Sequence, residues 1–194
     1  MITLFSIKNN GQYEETIKYS KFISFIFRIN SKEEILSYLN KIKKEYPNAD
    51  HYCYGYIIDD QKKFSDDNEP SKTAGYPILK QIEGHNLNYT LIIVVRYFGG
   101  IKLGTGLLTR TYSKMASEVI KNSSIISLVK GYNISISFNY SEIKNVSYLL
   151  NNSQIIDKTF DDNVTYKAIV SKETLEKLSK YQMLINKETY IEKE

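Results

Sequence analysis

Two stretches of this chain hold residues whose types and spacing suit chemistry. The first, RYFGGIKLGTGLLTR (Arg96 to Arg110), sets four glycines among threonines and cations. Gly99-Gly100 permits backbone conformations and close approaches that a Cβ forbids. Gly104-Thr105-Gly106 falls where a helix should begin. Free N–H groups and the positive end of a helix dipole make such a place an anion site. Arg96, Lys102 and Arg110 add charge there, and Thr105 adds a hydroxyl. The same glycines equally suit a tight turn with Arg96 paired to a nearby acid, and the spacing leaves both readings open. No Gly-Lys-Ser/Thr ending follows, so this is not a Walker A loop, and position 109 lacks the third glycine of a dinucleotide fingerprint.

The second stretch is FSDDNEPSKTAGYP (Phe64 to Pro77), with Ser65, Asp66, Asp67, Glu69 and Thr73 as its polar groups. Its carboxylates offer enough oxygen for a hydrated Mg²⁺. They could also pair with the cations of the glycine loop. Turn chemistry is the preferred reading, with Thr73 capping a short helix, and we expect neither a metal nor a cofactor. His51 and Cys53 share one face of a strand. No third group is identifiable to orient a nucleophilic pair, so a buried, inert cysteine is expected and no catalytic residue is assigned.

The elements that must position these groups follow from periodicity. KFISFIFRI (Lys21 to Ile29) reads as a strand, and Ser31 with Glu34 as a capping box. The helix it opens carries Ile35, Leu39, Ile42 and Tyr46 and closes at Pro47. HYCYGYII (His51 to Ile58) is a strand, DDQKKFSDDNEPSKTAG (Asp59 to Gly75) a polar loop, and Pro77 to Glu83 a short helix ended by Gly84. YTLIIVV (Tyr89 to Val95) is apolar throughout, as a strand covered on both faces requires. The glycine loop then feeds an amphipathic helix reaching about Asn122.

A second unit opens near Lys130 with a strand in which Tyr132, Ile134, Ile136, Phe138 and Tyr140 alternate with polar residues. A helix capped by Ser141, strands at Gln154 to Phe160 and Val164 to Val170, a helix from Lys172 to about Gln182 and a strand near Lys187 to Ile191 follow. The order βαββαβ is the ferredoxin-like pattern. We therefore expect an α+β protein of two domains, residues 1–125 and 130–194.

Composition narrows the function. The single cysteine excludes a disulfide framework and suits a reducing compartment. The N-terminus has neither the basic start nor the apolar length of a signal peptide, and no apolar run would span a bilayer. A cytoplasmic location without a membrane partner is expected. Residues 1–129 carry 17 Lys and Arg against 13 Asp and Glu, whereas residues 130–194 carry 9 of each. All three arginines lie in the first part, which leans toward an anionic partner there.

Taken together, FSDDNEP-SKTAGYP and VVRYFGG-IKLGTG-L-TY closely resemble the paired motifs of the IMPACT family, approximately FSDDGEPxGTAGxP and VVRYYGGxxLGxGGLxxAY. Asn68 and Lys72 stand where the family usually has glycine, Leu107 replaces the second glycine of LGxGG, and Thr111 replaces an alanine. The resemblance covers nearly the whole chain. It implies an N-terminal α/β domain similar to the second domain of a small-subunit ribosomal protein. It also implies a C-terminal ferredoxin-like domain similar to the late domains of elongation factor G. Both relatives touch RNA, so the expected function is non-enzymatic RNA or ribosome binding linked to translational regulation, with a possible protein partner. Arg96, Gly99, Gly100, Lys102, Gly104, Thr105, Gly106 and Arg110 would then engage phosphates. The alternatives are a Mg-assisted receptor or enzyme for a phosphate ester, and a protein-interaction module in which both motifs are scaffold.

Overall fold

A computed structural model describes residues 4–193. The described residues divide into two units, 4–126 and 127–193. The first contains β1 (Leu4–Ile7), β2 (Gly11–Ile17), β3 (Ser20–Arg28), α1 (Lys32–Glu45), β4 (His51–Ile58), β5 (Gln61–Ser65), α2 (Gly75–Gly84), β6 (Thr90–Tyr97) and α3 (Thr105–Lys121). An antiparallel sheet runs β2-β3-β6-β4-β5.

Side chains alternate across this sheet. Phe22, Ile26, Cys53, Ile92 and Val94 point to the face covered by α2 and α3. Ile23, Phe25, Phe27, Leu91, Ile93 and Val95 point to the face covered by α1. β6 is thus buried on both sides, which is why its sequence is apolar without interruption. Lys18 and Tyr19 join β2 to β3 with positive φ at both positions (44° and 66°), the two-residue turn whose twist matches its strands.

Several local expectations are corrected. Ser31 makes no side-chain cap on α1; Glu34 instead accepts from the Asn30 N–H at 3.0 Å. Residues Gln61–Ser65, read as loop, form β5, a polar strand at the sheet edge that pairs with Tyr54 to Ile58. Its composition hides it, because an edge strand with wet faces shows no apolar period. Thr73 does not cap α2: its hydroxyl donates to Pro70 O at 2.6 Å.

The second unit holds most of β7 (Ile125–Phe138), a 3₁₀ turn at Tyr140–Glu142, α4 (Ile143–Leu149), β8 (Gln154–Phe160), β9 (Val164–Ser171), α5 (Lys172–Lys177) and β10 (Gln182–Glu192). The element order is βαββαβ, and the strands lie in the order β10-β7-β9-β8, all antiparallel. Ile134, Ile136, Tyr166, Ala168 and Val170 face Val146, Leu150 and Leu178 in its core. The segment after Asn139 begins as a 3₁₀ turn, and α4 has no side-chain cap from Ser141. The last helix stops at Lys177 and not near Gln182. The reason is that β10 starts at Gln182 and pairs with β7 from Ser137 back to Leu128.

Candidate nucleic-acid interface

The acidic stretch takes over where the β4–β5 ladder ends, at Tyr54 opposite Ser65. Of the next two aspartates, Asp67 continues the pairing through its side chain. Asp67 Oδ2 accepts from the Tyr52 N–H at 2.7 Å, and Asp67 O lies 2.8 Å from His51 Nδ1. Asp66 turns the other way and accepts from three backbone N–H groups, those of Lys72 (2.8 Å), Ala74 (3.0 Å) and Gly75 (2.8 Å). It thereby supplies the cap that Thr73 does not, satisfying donors left open at the start of α2. Gly75 permits this closeness: a Cβ there would sit 2.3 Å from Ser65 O. Asp67, Asn68 and Lys72 all adopt positive φ (40°, 67° and 61°). Two of these are the positions where glycine is usual, so the loop keeps a left-handed backbone that asparagine tolerates and lysine resists.

Glu69 carries the contact between the two motifs. Its Oε1 accepts from Arg96 Nη1 at 2.6 Å and from the Tyr112 hydroxyl at 2.7 Å, and His51 Nε2 lies 3.8 Å away. Arg96 is 5% exposed and Glu69 8%. The guanidinium sits between the rings of Phe22 (5.3 Å) and Phe98 (5.5 Å), and its Nη2 donates to Ser20 Oγ at 3.4 Å. Cys53 Sγ lies 3.0 Å from Asp66 O and 3.4 Å from the Tyr112 oxygen. Burial pushes the Cys53 thiol far above its ordinary range and the Tyr112 phenol well above its own. Both therefore stay protonated at neutral pH, and the cysteine has no thiolate to offer. Among the described residues no three His, Cys, Asp or Glu side chains are grouped to hold a metal ion.

The glycine stretch has two characters. Its first part is locked to the sheet. Phe98 N–H donates to Asp50 Oδ2 at 2.7 Å and Gly99 N–H to Ser20 Oγ at 3.1 Å, while a Cβ on Gly99 would fall 2.0 Å from Tyr19 C. Its second part is open. Gly104 precedes α3 with φ 73° and ψ 154°, a region that only glycine adopts readily. No side chain caps α3 and no acid lies in its first turn. A Cβ on Gly104 would meet nothing within 4 Å, and one on Gly106 only Arg110 Nη1, at 4.0 Å. The side chains of Lys102 and Arg110 are exposed and form no ion pair or hydrogen bond among the described residues.

The expected site residues thus separate. Lys102, Gly104, Thr105, Gly106 and Arg110 share the exposed start of α3, with Gly100 (φ 84°) just before them. Arg96, Gly99, Ser65, Asp66, Asp67, Glu69 and Thr73 belong to the frame beneath. Sequence reasoning missed Tyr76, Lys80 and Lys114, which line a groove with Arg110 between α2 and α3. The usable signal was spacing: Tyr76 with Lys80, and Arg110 with Lys114, stand four residues apart on their helices. Leu107 packs partly buried against the core and is not among the groove residues, so the loss of that glycine extends the helix's inner face. Thr111, where alanine is usual, is 2% exposed with an unpartnered hydroxyl.

The sequence model of the Impact N-terminal domain matches residues 18–120. The IMPACT family member YvyE of Bacillus subtilis is 36% identical over 176 residues, spanning 88% of this chain and 81% of its own. The IMPACT family member YigZ of Escherichia coli is 36% identical over 112 residues, 55% of each chain. A crystal structure of a hypothetical protein superposes with a TM-score of 0.75 at 25% identity, covering 96% of this chain and 98% of its own. With both motifs in place, over half of the chain under the domain model and a relative matched along most of its length, this chain belongs to the IMPACT family.

Proposed function

We propose that this protein binds RNA phosphates, on the ribosome or free, and acts in translational regulation without catalysing a reaction. The observation that carries the phosphate site is the uncapped start of α3, flanked by two cations that no acid among the described residues neutralises. Backbone N–H groups, a helix dipole and unpaired Lys102 and Arg110 are what a phosphate needs. The link to translation rests on the family resemblance. In this reading Arg96 holds the loop through Glu69 and does not touch RNA. No helix among the described residues is long and apolar enough to cross a membrane, and the reading puts the protein with ribosomes in the cytoplasm.

The test is co-sedimentation of the purified chain with ribosomes and with total RNA at low and physiological salt. The wild type should pellet with one or both at low salt and be released as salt rises. A Lys102→Ala, Arg110→Ala variant should bind less tightly and with a shallower salt dependence, by about 0.7 per lost phosphate contact on single strands. A wild type that stays in the supernatant at low salt overturns the reading.

A further inference from the structure

Next to the start of α3, the facing sides of α2 and α3 leave an open groove of about 540 Å³. Tyr76 and Lys80 line it from α2, and Thr109, Arg110, Ser113 and Lys114 from α3. Three lining residues are cations and none is a carboxylate. Lys80 reaches Glu83 at 2.8 Å and Lys114 reaches Glu15 at 2.6 Å, so acids at the rim share these two charges. Arg110 has no such partner among the described residues. It also stands beside Gly106, which joins the groove to the open end of the glycine loop.

Tyr76 supplies what a phosphate site alone would not need. The residue is 38% exposed, and its ring is held edge-on by Phe64, centroids 5.6 Å apart at 67°. Lys80 Nζ lies 5.4 Å from the ring centre. A positioned, half-exposed aromatic beside a row of cations is the combination that binds a nucleobase on its π-face and its backbone by charge. A duplex keeps its base faces stacked and cannot use such a ring.

We infer that the α2–α3 groove seats a single-stranded segment of RNA, with a base on Tyr76 and phosphates along Arg110 and Lys114. This rests on the RNA reading above and adds where the strand runs and what form it takes. Arg110 and Lys114 are one helical turn apart, about 6 Å along the axis, and so follow a backbone lying along α3.

The experiment is fluorescence anisotropy of the full chain with a short labelled single-stranded RNA and with the matching duplex, at low salt. The wild type should bind the single strand more tightly. Tyr76→Ala should weaken single-strand binding about tenfold, and Tyr76→Phe should stay within about twofold. An Arg110→Ala, Lys114→Gln variant should lose about tenfold and show a shallower salt dependence. Each variant is compared below its own melting transition. Equal affinity for duplex and single strand, with Tyr76→Ala unchanged, overturns the groove while leaving the phosphate reading standing. No RNA binding by the wild type overturns both.

Discussion

The acidic loop and the open end of the glycine loop are neighbours in the family's paired motifs, yet they treat charge in opposite ways. Every carboxylate of the acidic loop is spent inside the protein: Asp66 on three N–H groups, Asp67 on Tyr52, Glu69 on Arg96 and Tyr112. At the start of α3 the side chains of Lys102 and Arg110 are spent on no ion pair or hydrogen bond among the described residues. The difference separates architecture from binding. Acids that offered oxygens for a metal fix a loop, and the cations of the expected anion site that stay exposed are the groups proposed above to meet a partner.

The comparison breaks most visibly at Glu69. Glu69→Ala leaves the Arg96 guanidinium buried without its counter-charge, which should destabilise the fold by about 3–5 kcal/mol in urea denaturation. A Glu69→Leu, Arg96→Met double variant should recover a good part of that loss, because a buried pair exchanged for apolar groups is far less costly than half a pair. If the single and double variants are equally unstable, the two motifs are not coupled through this contact.

Within the glycine loop, substitution by alanine should change sign along the chain. Gly99→Ala drives a methyl into the Tyr19 backbone and should cost about 3 kcal/mol. Gly106→Ala enters open space in the first turn of a helix and should gain up to about 1 kcal/mol from helix propensity. Thermal melts of the two would show whether the locked and open parts are as different as their geometry. Lys72→Gly should stabilise by about 1 kcal/mol, since it relieves a left-handed lysine at φ 61°. Smallest of all, the Lys102→Ala, Arg110→Ala variant should melt with the wild type while losing RNA. A drop in its melting midpoint would assign those cations to the frame.

Legibility in the sequence followed the range of the interaction. His51–Ile58 forms a strand at the bounds its aromatic and β-branched residues indicated, and β6 is buried on both faces as its unbroken apolar run implied. Both signals are local. β5 escaped because QKKFS at a sheet edge satisfies its backbone on one side only and needs no apolar face. Thr73 was the plausible cap by proximity, but the cap is Asp66, six to nine residues before the N–H groups it holds. The pairing of Arg96 with an acid was one of two open readings. Only the fold, which brings Glu69 across 27 positions of sequence, decides it. The groove escaped for the same reason, because its walls come from two helices.

One consequence follows from the way the glycine loop is fastened. It is held at Gly99 by the β2–β3 turn and again at Leu103, which lies in the core at 9% exposure. The N–H groups that follow Gly104 are therefore positioned during folding and not on arrival of a ligand. A phosphate docking there orders little new backbone and forfeits little conformational entropy. On the proposed reading such a receptor is pre-organised: affinity differences between RNAs should appear in how long the complex lives, with arrival rates nearly constant apart from their dependence on salt.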